Sequence, residues 1–173
     1  MAKILKEKIF EGPTIEVAKN LLGKYLVRKY KGRIISGKIT EVEAYDGPKD
    51  KASHASRGLT KRNFPMFGPA GQWYVYFTYG LHWMLNIVTG KKGYPAAILI
   101  RGVEGINGPA RVTKFFHIDG KFNGKSADKK NALWIEDRGL KISNEIKRTP
   151  RIGVQYAGPL WSRRRYRFLL KQK

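Results

Sequence analysis

Alternating apolar and polar positions predict β-strands over much of the chain. The segment "KYLVRKYKGRIISGKITEVEAY" predicts two strands joined near Lys31-Gly32. Two further strands are expected over Trp73 to Tyr79 and Leu81 to Thr89, because a glycine at position 80 marks a bend between two runs rich in aromatic and β-branched residues. The two pairs predict two antiparallel hairpins.

The second half of the chain carries three more strand signals. The apolar run "PAAILIRGVEG" predicts a well-buried strand. The segment "ALWIEDRGLKIS" predicts a hairpin with its turn near Arg138-Gly139, and the tail "RIGVQYAGPLWSRRRYRFLL" is typical of a last strand region, basic and aromatic.

Helical spacing is confined to two segments. In "EGPTIEVAKNLLGK" the apolar side chains share one face, and Gly23 provides a C-terminal stop. Gly108-Pro109 opens a second helix that carries Val112, Phe115 and Phe116. The polar stretch from Asp46 to Pro69 is expected to be mainly loop, with a short helix near Asp50 to Ser56.

These elements together predict an α+β fold. We expect residues 1–173 to form a single domain, a mostly antiparallel curved sheet with a protruding β-hairpin and a few flanking helices. The chain has 173 residues, of which 42% are hydrophobic, so it is long enough and apolar enough to bury a core.

The stretch "GQWYVYFTYG" puts five aromatic side chains into ten positions. Alternation places Tyr74 and Tyr76 on one face of a strand, where exposed rings could stack on bases. The other face is expected in the core, with Trp73, Val75 and Phe77. Tyr79 belongs to the core face by parity, and only the bend at Gly80 can turn it outward.

Charge is the strongest compositional signal. The chain has 35 Lys and Arg against 13 Asp and Glu, a formal net charge of +22. This excess is far beyond what solubility requires and indicates a polyanionic partner, with nucleic acid favoured over an anionic membrane because no basic amphipathic helix stands out.

Composition also excludes several classes of protein. No cysteine is present, which excludes disulfides, iron–sulfur clusters and zinc–thiolate sites. The N-terminal segment is too charged for a signal peptide, and the longest mostly apolar stretch, Trp73 to Val88, is too short and too polar to span a bilayer. We therefore expect a soluble, intracellular monomer that does not bind membranes.

The motif "EVEAY" places Glu41, Glu43 and Tyr45 on one face of a strand. Ion pairing with the surplus of basic side chains is the simplest role for the two acids. A Mg²⁺-dependent nuclease would need further acids, for which Asp46 and Asp50 are the candidates. A single carboxylate could instead act as a general base on water without a metal.

His54 lies in the polar segment "KASHASRGLTKRN", which carries four basic residues. This setting suits contact with phosphate, and the imidazole could also supply a flat ring to a pocket. A structural role is the more frequent outcome for such a histidine.

The segment "EVEAYDGPKDKASHASRGLTKRNFPMFGPAGQWYVYFTYGLHWMLNIV" resembles the central region of the 3-methyladenine (alkyladenine) DNA glycosylases. The motifs that carry the resemblance are E-x-E-A-Y, S-H, R-N-x-x-M-F, Y-V-Y-x-x-Y-G and a following M-x-N. The likeness covers most of the chain, from "AKNLLGKYL" through "LIR" and "NGPARVTKFF" to "RIGVQYAGPLW".

The resemblance implies an enzyme that flips a damaged purine out of duplex DNA and hydrolyses its N-glycosidic bond, leaving an abasic site. By position, Glu43 is implied as the general base that activates water for attack on the sugar C1′. Arg101 is implied to fix that water and keep Glu43 ionised, and the main-chain carbonyl of Ile152 to complete the water site. No cofactor, metal or catalytic lysine is implied, so we expect base release without strand cleavage.

The same resemblance implies a base pocket and a DNA-contacting surface. Tyr45 and His54 are implied on one side of the flipped base and Tyr76 on the other, with the His54 backbone N–H at the base edge. Asn86 is implied to crowd the 2-amino group of guanine. The residues implied to contact DNA are Thr60, Arg62, Leu81 and Tyr79, the last as a wedge in the minor groove.

The implied chemistry is physically coherent. Flipping costs least for a mispaired or damaged base, and a cationic methylated purine is favoured by aromatic faces and is a good leaving group. One ionised glutamate and a positioned water can then complete the reaction. The expected partner is double-stranded DNA containing damaged purines, in the cytoplasm and nucleoid of a prokaryote or the nucleus of a eukaryote.

The chain departs from the family pattern in its second half. Ala110-Arg111 stand where the family often has Gly-Lys, and bulky Phe116 and His117 stand where small residues are common, so this helix is expected to pack differently. Lys121 to Asn131 resembles no part of the family. We expect no counterpart of the long N-terminal extension of vertebrate members.

Two alternatives of other classes stay open at the level of sequence. The first is a nucleic-acid-binding module without enzymatic activity, whose tyrosines stack single-stranded bases while Glu43 pairs with a basic side chain. The second is the Mg²⁺-dependent nuclease that uses Glu41 and Glu43.

Overall fold

The computed structural model describes residues 1–140, residue 142 and residues 145–171. Within these residues, ten strands form one antiparallel sheet and four short helices flank it, which confirms the predicted fold class. The strands are β1 (Lys3–Ile4), β2 (Tyr25–Tyr30), β3 (Arg33–Asp46), β4 (Trp73–Thr78), β5 (His82–Val88), β6 (Ala96–Val103), β7 (Ile106–Asn107), β8 (Leu133–Asp137), β9 (Ile146–Thr149) and β10 (Arg167–Leu170). The helices are α1 (Glu7–Phe10), α2 (Thr14–Leu21), α3 (Pro109–Phe115) and α4 (Gly158–Ser162). None of them is both long enough and apolar enough to cross a membrane.

The long strand β3 connects the two parts of the sheet. The strand order is β1-β8-β2-β3-β6-β5-β4, with β10 and β9 added beside β3 and β7 beside β6. The first half of β3 pairs with β2, while its second half pairs with β6 on one side and with β10 on the other. The register of β3 against β6 shifts around Glu41, a bulge-like irregularity that bends the strand before Glu43.

Helix α2 covers the core where β3 changes partners. Its buried side chains are Val17, Ala18 and Leu21, close to the face expected from the apolar spacing. Gly23 follows with a positive φ of 81°, as the predicted C-terminal stop requires, and its N–H donates to the carbonyl of Ile39 at 2.9 Å. The end of the helix is thereby fastened directly to β3.

The hairpin formed by β4 and β5 projects beyond the rest of the sheet. Trp73 and Val75 are buried, as predicted, but the prediction that Phe77 is core is wrong, because its side chain is 44% exposed. Strand β6 pairs only with Asn86–Val88 of β5, so the outer half of the hairpin has no third strand beside it. The ring of Phe77 packs instead on Trp83 of the opposite strand, at 4.7 Å between centroids.

Two other local predictions differ from the structure. Within the described residues, strand β8 pairs with β2 and β1 and not with the segment that follows it. The second half of that expected hairpin falls partly on Lys141 and Ser143, which lie outside the described residues. The tail contains a 3₁₀ turn and α4 before β10. Pro159 lies in the first turn of α4, where proline is tolerated.

The loop after β3 contains two 3₁₀ turns in place of the single short helix expected near Asp50 to Ser56. They span His54–Arg57 and Phe64–Phe67. The side chain of Ser53 begins the first by accepting the N–H of Ala55 at 3.2 Å.

The segment that departs from the family pattern has a clear structural role. Phe116 is fully buried in the core, while His117 is exposed and stacks on Tyr30 at 4.0 Å. Between Lys121 and Asn131, the chain runs along β4: the N–H of Trp73 donates to the carbonyl of Lys125, and the N–H of Val75 donates to Oδ1 of Asn123. These contacts cover an edge strand that would otherwise expose its backbone.

Candidate active site

Glu43 is a fully buried carboxylate near the end of β3. Its Oε1 accepts the backbone N–H of Ile152 at 2.7 Å, and its Oε2 accepts the hydroxyl of Tyr45 at 2.9 Å. Nη1 of Arg101, on the neighbouring strand β6, lies 3.6 Å from Oε2. Three of the residues singled out from the sequence therefore contact Glu43, with Ile152 doing so through its N–H.

The surroundings of Glu43 act on its ionisation in opposite directions. Burial raises the pKa of Glu43, and this effect exceeds the lowering of the pKa by Arg101, by the Ile152 N–H and by the Tyr45 hydroxyl. Arg151 lowers the pKa further from a greater distance. A carboxylate with a raised pKa and hydrogen bonds to its charged form has the properties of a general base.

Glu41 has a different environment on the same face of β3. Its Oε1 accepts Nε of Arg101 at 2.9 Å and Nε of Arg167 at 2.6 Å. Glu41 is thus an ion-pair partner, the simplest role considered for it. Arg101 joins the two acids, because its guanidinium reaches Glu41 with one nitrogen and approaches Glu43 with another.

The additional acids required by the nuclease alternative are held elsewhere. Asp50 is buried and paired with Arg151, and Oδ1 of Asp46 accepts the hydroxyl of Tyr94 at 3.1 Å. Within the described part of the chain, no three side chains of the His, Cys, Asp or Glu type come together as a metal-binding group. The carboxylates expected to supply a Mg²⁺ site do not converge on Glu41 and Glu43.

The Asp50–Arg151 pair connects the segments that carry the site. Arg151 donates from Nη2 to Asp50 at 2.8 Å. It also donates from Nη1 to the carbonyl of Ala44, the residue between Glu43 and Tyr45. Asp50 also accepts the N–H groups of Asp46 and Ala52, at 3.1 and 3.0 Å. The pair fixes β3, the following loop and the backbone next to Ile152 relative to one another.

Sequence reasoning missed this pair, because 101 positions separate its members. The one available signal was the position of Arg151 directly before Ile152 in the motif "RIGVQYAG".

A small pocket of about 40 Å³ opens beside Tyr45, the residue whose hydroxyl donates to Glu43. Its walls are largely aromatic. They include four of the predicted pocket residues, Tyr45, His54, Tyr76 and Asn86, together with Ala52, Ser53, Met66, Tyr74, Ala97 and Tyr156.

The arrangement of rings in the pocket differs from the one expected. The rings of His54 and Tyr76 are in edge contact at 4.7 Å between centroids, so a base cannot lie between this pair as they stand. The structure therefore groups His54 with Tyr76 rather than with Tyr45. This follows from a hydrogen bond of 2.9 Å that Nδ1 of His54 shares with the hydroxyl of Tyr74, on the strand that carries Tyr76.

His54 is neutral at physiological pH. Burial, followed by the nearby cations Arg62 and Arg57, lowers its pKa to about 4. Its position is fixed by Asn63, which sequence reasoning also missed: the side-chain amide donates to the carbonyls of His54 and Gly58, and its oxygen accepts the N–H of Thr60. The only signal for Asn63 was its place in the R-N-x-x-M-F motif.

Asn86 lies on β5, where it is buried at the wall of the pocket. Its Nδ2 donates to the carbonyl of Tyr74 across the hairpin at 3.1 Å. This bond fixes the orientation of the amide at the pocket wall.

A wider groove of about 630 Å³ continues outward from the pocket. Thr60 and Arg62, two of the residues predicted to contact DNA, line it, and Arg62 stacks over Tyr76 at 4.9 Å. The cations lining this groove are Lys51, Arg57, Arg62 and Arg101. The groove thus combines positive charge with aromatic rings, a surface suited to nucleic acid.

The tip of the hairpin turns Tyr79 outward. Tyr79 and Gly80 both have positive φ, 52° and 64°, and the N–H of Leu81 donates to the carbonyl of Thr78. Both central residues of a type I′ turn require this backbone conformation, which is uncommon for a tyrosine. Tyr79 is consequently 88% exposed and borders the groove, and Leu81 is 71% exposed.

The chain is similar to known proteins over nearly its whole length. The family model for methylpurine-DNA glycosylase (MPG) matches residues 8–107 and 104–173. A curated protein of Legionella pneumophila (strain Paris), named "Putative 3-methyladenine DNA glycosylase", is 42% identical over 178 residues, covering 99% of this chain and 96% of its own length. Proteins of the same name from Methanocella arvoryzae and Carboxydothermus hydrogenoformans are 41% and 40% identical, covering 90% and 97% of this chain and 86% and 95% of their own lengths. The chain belongs to the methylpurine-DNA glycosylase family, as the resemblance of its motifs predicted.

Proposed function

We propose that this protein is a monofunctional DNA glycosylase that acts as a single-domain monomer on double-stranded DNA containing alkylated or deaminated purines. The observation that carries the proposal is the buried carboxylate of Glu43, which contacts Arg101, the Ile152 N–H and Tyr45, a residue that lines the aromatic pocket.

In the proposed reaction, ionised Glu43 accepts a proton from a water molecule. The water oxygen bonds to C1′ of the deoxyribose as the C1′–N bond breaks, and the electrons of that bond leave with the purine. The negative charge of Glu43 also stabilises the oxocarbenium character that develops at the sugar. Arg101 supports this role because it favours the ionised form of the glutamate.

The pocket supports recognition of a cationic purine. Tyr45 would cover one face of the flipped base, with the His54–Tyr76 pair on the opposite side. Aromatic faces attract a positively charged ring, and the lowered pKa of His54 keeps that imidazole neutral, so it does not repel the base. Asn86, fixed at the pocket wall, would crowd the 2-amino group of an undamaged guanine.

The groove and the hairpin support binding of the duplex. The cations of the groove would neutralise phosphates. Tyr79, exposed at the end of a projecting hairpin, would enter the minor groove and occupy the space left by the flipped nucleotide, with Leu81 beside it.

One assay separates this function from the two alternatives. Duplexes carrying hypoxanthine, 3-methyladenine, 7-methylguanine or etheno-adenine are incubated with the protein in EDTA, and abasic sites are then revealed with alkali. We expect strand breaks only after alkali, and only in lesion duplexes. Binding without base release from any lesion would favour the binding module, and breaks that require added Mg²⁺ but no alkali would favour the nuclease.

A further inference from the structure

Tyr156 stands where the base pocket opens into the outer groove, because it lines both cavities. It belongs to the 3₁₀ turn Gln155–Ala157, in the segment that begins at Arg151. No role for this tyrosine followed from the sequence motifs.

The backbone on both sides of Tyr156 is anchored. Val154 and Ala157 are buried together with Ala52, and Tyr45 packs against the same cluster. The turn therefore sits on the side of the pocket formed by Tyr45, and Tyr156 extends that side outward to the mouth.

The side chain of Tyr156 is exposed and yet held in place. It is 66% exposed, but its hydroxyl donates to the carbonyl of Ala52 at 2.7 Å. Holding an aromatic ring in one orientation costs conformational entropy, while most of its surface stays in contact with water. A ring fixed in this way at the entrance of a pocket is prepared for contact with a ligand.

The surroundings define the chemistry of that ligand. The groove side carries Lys51 and Arg57, which suit phosphates, and the pocket side carries the rings of Tyr45 and Tyr76, which suit a flat base. A group that spans both cavities at Tyr156 has a phosphate–sugar part outside and an aromatic part inside, which is the composition of a nucleotide.

We propose that Tyr156 is a substrate-binding residue whose ring packs against the everted purine nucleotide at the mouth of the pocket. The inference rests on the proposed function and adds a contact to the flipped state only. A duplex whose bases all remain stacked does not place a nucleotide at this point.

The test compares Tyr156→Ala, Tyr156→Leu and Tyr156→Phe with Tyr94→Ala, a matched control. Tyr94 is also a partly exposed tyrosine whose hydroxyl is bonded, in this case to Asp46 at the end of β3, but it lines neither cavity. The measured quantities are the half-saturating protein concentration for single-turnover base release, on the lesion that the wild type releases fastest, and the affinity for an undamaged duplex.

We expect Tyr156→Ala and Tyr156→Leu to raise the half-saturating concentration about 5- to 100-fold, the loss that follows removal of one ring from a stacked base. Tyr156→Phe keeps the ring and should stay within about threefold of wild type, and affinity for the undamaged duplex should be unchanged in every variant. Values within twofold of wild type for Tyr156→Ala, or an equal loss on the undamaged duplex, would overturn this inference alone. A wild-type protein that releases no damaged purine would overturn the proposed function itself.

Discussion

At the scale of single residues, Glu43 combines two requirements that oppose each other. A general base must be ionised to accept a proton, yet complete burial favours the neutral acid and raises the pKa of this carboxyl group. Arg101 reduces the conflict from 3.6 Å, while its bond to Glu41 holds the guanidinium in place. The two acids of "EVEAY" thus have different surroundings: Glu41 is paired with two arginines, and Glu43 is the acid for which we propose a role towards the substrate.

The raised pKa of Glu43 predicts the direction of the pH dependence. On a duplex with 7-methylguanine, the leaving group needs no proton. The pH–rate profile should therefore have an acidic limb, in which the rate falls about tenfold per pH unit below the pKa of Glu43. That pKa lies above 4.5, the ordinary glutamate value. Arg101→Gln removes an effect that lowers this pKa, so its limb should move to higher pH. Single-turnover rates from pH 4 to pH 8 measure both.

Arg167→Gln is the matched control for the pH profile, because Arg167 pairs with Glu41 and not with Glu43. Its limb should coincide with that of the wild type. A limb of Arg101→Gln at lower pH than the wild type would contradict the assigned role of Arg101.

At the scale of elements, the β4–β5 hairpin places a tyrosine in a backbone conformation that suits asparagine or glycine. A left-handed conformation costs an ordinary residue about 1 kcal/mol or more, and Tyr79 adopts it with a side chain that is 88% exposed. Strain of this kind is frequent at functional sites, where the side chain is needed in spite of its backbone.

Tyr79→Asn should therefore stabilise the protein while impairing its action on DNA. Asn-Gly is the preferred pair for a type I′ turn, so the free energy of unfolding should rise by roughly 0.5 to 1 kcal/mol. Loss of the wedge should weaken flipping, reported by the fluorescence of 2-aminopurine next to a lesion. Urea denaturation gives the first quantity, and a lower stability of Tyr79→Asn would mean that the tyrosine side chain packs at the tip.

The buried Asp50–Arg151 pair makes a second prediction about elements. Asp50→Asn leaves the Arg151 guanidinium buried without its counter-charge, so we expect a loss of about 3 to 5 kcal/mol in the free energy of unfolding. In contrast, Glu16→Gln in the exposed pair with Lys19 should change it by less than about 1 kcal/mol. Urea unfolding of both variants checks the difference, and equal losses would contradict the connecting role of the buried pair.

At the scale of the whole molecule, the net charge of +22 governs encounter with DNA rather than selection of a base. The affinity for undamaged duplex should fall steeply with salt, and replacing one phosphate-contacting cation should reduce the slope of log K against log[salt] by about 0.9. We expect this for Arg57→Gln in the groove, and no change for Lys31→Gln at the β2–β3 turn, outside the groove. Fluorescence anisotropy at several salt concentrations measures the slopes, and identical slopes for the two variants would contradict the assigned groove.

Local patterns in the sequence predicted what depends on neighbouring residues. The hairpin turn at Lys31-Gly32, the α2 stop at Gly23 and the buried strand β6 all follow from short-range spacing and turn chemistry. The motifs that match the family also predicted Glu43, Tyr45 and Arg101 as site residues.

Features that depend on distant partners could not be predicted in this way. Phe77 alternates with core residues along β4, so the strand pattern predicts that it is buried. Its exposure depends instead on where β6 stops pairing with β5. The partner of Asp50 lies at the other end of the chain, and strand β8 finds its neighbours in β1 and β2 rather than in the adjacent turn. The grouping of His54 with Tyr76 likewise depends on Tyr74 across the pocket.

The most direct test is the single-turnover rate of base release by Glu43→Gln, measured in EDTA on the lesion duplex that the wild type processes fastest. Glutamine keeps the shape of the side chain and can still accept the Ile152 N–H, so lesion binding should be retained. Removal of the general base should lower the rate constant by about 100- to 10,000-fold. A Glu43→Gln protein that binds the lesion and releases the base at the wild-type rate would contradict the role assigned to Glu43.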